Sequence, residues 1–189
     1  MGLKNKKHTQ GFSFNTEDYI LYILNNLEPE KSDKIRLYKI AFFVEFAYLF
    51  HNEKPLSEVD YAAINNGPVI NDYDLILKLM QNKKKITIDG NTIRPLKSPD
   101  QKVPETISSF LGPLIEKYSL WSSSELISLS HLTDSYKITT GNGKVMGQII
   151  DKHLAILETF FDEDKNNEQI DEFSLPVIKN EKLVKYGVR

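Results

Sequence analysis

Apolar residues crowd most densely between Ile35 and Phe50, where Leu37, Tyr38, Ile40, Phe42, Phe43, Val44, Phe46, Tyr48 and Leu49 leave no polar face. A helix that is hydrophobic all round belongs in the middle of a domain, with other helices covering it. The run from Ile40 to Phe50 is too short for a membrane span, which needs about 20 predominantly apolar residues, and Glu45 interrupts it. The pattern therefore predicts a central buried helix from about Asp33 to Phe50, terminated by the connector His51 to Pro55.

The flanking stretches repeat at helical spacing and predict elements that cover this helix. Asn15 or Thr16 caps a first helix whose apolar face carries Tyr19, Ile20, Ile23, Leu24 and Leu27. Ser57-Glu58-Val59-Asp60 reads as an acidic variant of the capping box, opening a short helix with Tyr61, Ala62 and Ile64. Asn66-Gly67-Pro68 stops that helix, since glycine adopts the left-handed conformation and proline cannot continue the ladder. Asn71 caps the next helix, with Tyr73, Ile76, Leu77 and Met80 on one face.

Around Asp89-Gly90-Asn91 the period shortens to two, which predicts a hairpin over Ile86 to Arg94. Pro104 opens a helix with Ile107, Phe110, Leu111, Leu114 and Tyr118 inward, and Gly112-Pro113 is expected to kink or break it. Ser122 to Glu125 is a capping box for a helix bearing Leu126, Leu129 and His131. Lys137 to Lys144 reads as a loop, and Met146, Ile149, Ile150, His153, Leu157, Phe160 and Phe161 as a long amphipathic helix that closes the fold. The expectation is a mainly α protein: a compact helical domain at 12–163 around a central buried helix, with one small β-hairpin. A disordered N-terminus at 1–11 and a polar C-terminal extension at 164–189 flank it.

At 189 residues, one sizeable core is expected. A net charge of −2 and a pI near 6.1 argue against a protein whose main task is gripping nucleic acid. The absence of cysteine excludes disulfides, thiol catalysis and cysteine-ligated metal. The N-terminal basic residues precede no apolar segment, and Lys6 stands where a myristoylation signal needs Ser or Thr. A cytoplasmic protein with no membrane association is expected.

Candidate chemistry is sparse. Glu45 is expected to face a groove or to pair with an arginine such as Arg36 or Arg94, and His131 to serve a partner or a helix end. The four histidines lack the spacing of a paired helical metal site. Gly141-Asn142-Gly143-Lys144 fails the phosphate-loop pattern at Thr139 and Val145. Lys83-Lys84-Lys85 reads as a solvated helix end, and no nucleophile elbow is present. No catalytic residue, cofactor or metal is expected, and the chain is not expected to be an enzyme.

The aromatic-rich helix, Lys54-Pro55-Leu56, Tyr61-Ala62-Ala63, Asn66-Gly67-Pro68-Val69 and Tyr73 together resemble the Panacea domain, the SocA-like antitoxin family once known mainly as phage-associated GepA-like proteins. A second match joins Ser124-Glu125-Leu126 to Leu129-Ser130-His131 and Tyr136, so that the likeness covers about Phe12 to Tyr136. One departure is Tyr136, since family members usually carry Trp a few residues after the histidine. The resemblance implies an antitoxin that binds and masks a cognate protein toxin, and in the SocA-like branch hands it to a protease. No fused helix-turn-helix domain is expected. The two motifs make Tyr61, Asn66, Gly67, Pro68, Tyr73, His131 and Tyr136 the candidate partner-binding residues, expected on one exposed face. The competing reading is a phage or mobile-element regulator that touches nucleic acid through local basic patches.

Overall fold

The computed structural model describes residues 11–162. The expected N-terminal segment and C-terminal extension therefore fall almost wholly outside the described residues. Helix α2, Lys34–Asn52, forms the axis, capped by the Asp33 side chain on the Arg36 amide and ended by Glu53 in the left-handed conformation. Its residues from Leu37 to Ala47 are all buried. Helices α1 (Thr16–Asn25), α4 (Glu105–Ser119) and α5 (Ser123–Ser130) pack against it, as does a 3₁₀ helix at Lys152–Leu157. Among the described residues no helix is long and apolar enough to cross a membrane.

The protein is mainly α, but it holds more than the one hairpin expected. Strands β1 (Tyr61–Ile64), β2 (Gly67–Ile70) and β5 (Gln148–Ile149) form an antiparallel sheet in the order β2-β1-β5. Strands β3 (Ile86–Asp89) and β4 (Thr92–Pro95) form the predicted hairpin. The short helix expected at Tyr61 to Ile64 is thus a strand. Two alanines favour a helix locally, yet Ala62 pairs with Val69 on one side and Ile149 on the other. Asn65 and Asn66 make the turn, and Gly67 follows at φ +84°. That is a turn followed by a left-handed glycine, which suits a hairpin rather than a helix end. Pro68 is tolerated because β2 lies at the sheet edge.

Three further elements differ from expectation. Helix α3, Tyr73–Asn82, is preceded by Asp72 in the left-handed conformation and lacks a side-chain cap. Asn71 is not the cap: its backbone amide prolongs the hairpin by donating to the Asp60 carbonyl at 2.8 Å, and its side chain donates to the Asp72 carboxylate at 2.9 Å. Helix α4 runs unbroken through Pro113, since Pro113 and Ser109, whose carbonyl loses its partner, both face solvent. Helix α6, Asp134–Thr140, replaces the expected loop at 137–144, which shrinks to the residues after Gly141.

The long helix expected from Met146 to Phe161 does not form. The Gly147 and Ile150 amides donate to the Ala63 and Tyr61 carbonyls at 2.7 and 2.8 Å, which commits this stretch to the free edge of β1. Asp151 then caps the Lys152–Leu157 3₁₀ helix. Leu157, read as part of an apolar stripe, is exposed, while Ile150, Ala155 and Phe161 reach the core.

Candidate functional site

The β1–β2 turn and the α5–α6 junction meet over one buried residue of α2. Lys39 is 1% exposed and donates from Nζ to the Pro68 carbonyl at 2.7 Å. It has no ion-pair partner among the described residues. Gly67 closes over it so tightly that a Cβ there would lie 2.2 Å from Ser130 Oγ, 2.9 Å from Lys39 Nζ and 3.4 Å from His131 Cδ2. Ser130 donates its hydroxyl to the Ile127 carbonyl at 2.8 Å, within its own helix.

His131 is the C-terminal cap of α5, and its ring stacks on Tyr136 with centroids 4.8 Å apart and an 18° angle between planes. Its Nε2 is buried without a hydrogen-bond partner. Burial pushes the imidazole pKa down and the nearby Lys39 charge adds to this, while hydrogen bonding to the Asn65 backbone opposes both. The Tyr136 hydroxyl donates to the Ile64 carbonyl at 2.8 Å, which fastens α6 to the hairpin.

The sequence candidates therefore separate. Gly67, Pro68, His131 and Tyr136 converge, with Asn66 exposed at the turn beside them. Tyr61 is fully buried and faces the other way, its ring edge-on to Phe42 at 5.6 Å and near Tyr19 and Glu45. Tyr73 packs on Tyr38 at 4.7 Å. The expected single exposed face is corrected: Tyr61, Gly67 and Pro68 are buried where the hairpin packs on α2, and Tyr136 where α6 is fastened to the hairpin.

Residues 37–137 match the family model described as antitoxin SocA-like, Panacea domain. The chain belongs to this family. The match covers more than half of the 189 residues, and both halves of the Lys39–Gly67–His131–Tyr136 knot lie inside the Panacea domain. The first helix and the β5–3₁₀ segment lie outside it. No curated protein and no solved structure matches the chain.

Sequence reasoning missed Lys39. Its one signal was a lysine inside a helix with no polar face, where a charge has nowhere to go but inward. Burial depresses its pKa to about 7 from the usual lysine value of 10.5. The sign follows from linkage: between these two values the unfolded chain binds a proton that the folded chain does not, so stability rises with pH across that window. Below about pH 7 the penalty is complete. Lys39→Met is expected to gain about 1–2 kcal/mol at pH 7, because a buried ionisable group exchanged for an apolar one of similar size is often stabilising. That gain should shrink towards pH 10; denaturant unfolding at a series of pH values checks it.

The second buried charge sits farther along α2. Glu45 is fully buried and pairs with Lys152 at 2.9 Å, not with an arginine. Arg36 binds Asp33 at 2.6 Å and the Trp121 carbonyl instead. Lys83 and Lys85, read as a solvated helix end, form ion pairs with Glu17, and Lys85 with Asp100 as well.

Proposed function

We propose that this chain is the antitoxin of a toxin–antitoxin pair and acts by binding a cognate protein toxin directly. The observation that carries the reading is its membership of the SocA-like Panacea family. The toxin is bound and masked in the cytoplasm, and delivery to a protease is a second step of the same reading. The exposed rim of the knot, Asn65, Asn66 and the partly exposed His131, is the surface offered for contact.

The chain turns over no substrate of its own in this reading. Lys39 and Ser130, the two groups with nucleophilic potential near His131, are 1% and 0% exposed, so a substrate has no route to them. A nucleic-acid role finds little support, since Lys83 and Lys85 are already neutralised by carboxylates.

Co-expression with the product of the neighbouring reading frame tests the proposal. Growth should recover, and the two proteins should co-purify through a salt titration. A regulator that neutralises several phosphates would instead lose affinity steeply as salt rises. A harmless neighbour, or one neutralised without any complex, would overturn the reading.

A further inference from the structure

Lys39 is buried, and among the described residues no carboxylate pairs with it. Among the described residues its one hydrogen bond is to the Pro68 carbonyl. Strand β2, packed over it, has no titratable residue. On its own helix Arg36 is held by Asp33, and Glu45 by Lys152. On α5, Glu125 accepts from the Ser122 amide in the capping box. On α6, Asp134 accepts from Thr159, Lys137 donates to the Leu132 carbonyl, and the Tyr136 hydroxyl is committed to Ile64. His131 faces the same spot with an unpartnered Nε2. Two groups that become cationic on protonation thus lie under the hairpin tip, with no carboxylate paired to Lys39 among the described residues.

The tip itself is open: Asn65 and Asn66 are exposed, and Gly67 behind them carries no side chain. A partner that covers the tip strips the remaining water from above a buried ammonium. Attraction between charges strengthens as the local dielectric falls. A negative group delivered there would act through the turn on an ammonium that has no ion-pair partner among the described residues.

We propose that the Asn65–Gly67 turn, backed by Lys39 and His131, is where the partner protein presents an acidic side chain, and that docking there is coupled to uptake of a proton by this chain. The inference rests on the antitoxin reading and specifies the chemistry of its contact. Lys39 and His131 receive the carboxylate's field through the turn, and its presence favours their protonated forms over the neutral ones.

The experiment is calorimetry of the full chain with the neighbouring reading frame's product, in buffers of different ionisation enthalpy. Wild type should take up a proton on binding at about pH 8, with affinity falling by up to roughly tenfold per pH unit above the free Lys39 pKa. Lys39→Met should bind more weakly at pH 7 and lose the proton uptake. Replacing the partner's acidic residues one at a time by their amides should reveal one that also abolishes it. A complex that forms with no proton uptake, or whose affinity is the same in Lys39→Met, overturns this inference and leaves the antitoxin reading standing. Absence of any complex overturns both.

Discussion

Gly67→Val is expected to lose about 2–6 kcal/mol of stability, combining backbone strain of about 1–3 kcal/mol with overpacking of about 1–3 kcal/mol. Gly67 holds φ +84°, a region that a β-branched residue enters only with strain. The added Cβ would fall 2.2 Å from Ser130 Oγ and 2.9 Å from Lys39 Nζ. Neither can retreat cheaply: Ser130 is fully buried and bonded to Ile127, and Lys39 is buried and bonded to Pro68. Denaturant unfolding followed by circular dichroism should show the loss, and partner binding should fail with it. Asn66→Ala, at an exposed neighbouring position, should cost far less. An unchanged midpoint for Gly67→Val would mean that the hairpin does not press on α5 as described.

The same glycine shows what a sequence can convey. Its need for a positive torsion was legible in Asn66-Gly67-Pro68, but the element around it was not. Alanine-rich Tyr61 to Ile64 becomes a strand because its backbone finds two partners, at Gly67–Ile70 and at Gln148–Ile149, and the second is far off in the chain. Long-range pairing also dissolved the helix expected at 146–161. Helix α6 was hidden for a related reason. The amides of Asp134 and Ser135 are capped by the Glu158 carboxylate at 2.9 Å each, a cap supplied from beyond the local window. By contrast α1, α2, α3, α4 and α5 announced themselves through apolar spacing, and the Ser122–Glu125 capping box is present as read. Within the site, His131 and Tyr136 were found as residues, but Tyr136 was misplaced as exposed, since its bond to Ile64 depends on the hairpin.

Lys152→Met is expected to cost about 3–5 kcal/mol, the usual range when one partner of a buried pair is removed and the other stays charged. Glu45 is fully buried. Without Lys152 its carboxylate would keep, among the described residues, neutral donors alone: the Leu56 amide at 3.1 Å, the Ser57 amide at 3.4 Å and the Ser57 hydroxyl at 2.5 Å. Lys152 also donates to the Ser57 carbonyl at 2.7 Å, so its loss frees a second buried acceptor. Glu45→Gln should cost less, about 1–3 kcal/mol, because Lys152 keeps 17% of its side chain in solvent and can rehydrate. The double variant should cost clearly less than the two single losses added together, as two groups in one network do not act independently. Limited proteolysis supplies a second readout, since Lys152 ties the segment after β5 to the central helix and its loss should expose 147–158 to cleavage before the rest of the domain. A loss below about 1 kcal/mol for Lys152→Met, in the range of exposed ion pairs, would show that water reaches Glu45 and that this segment is held by the β1–β5 pairing and the Glu158 cap instead.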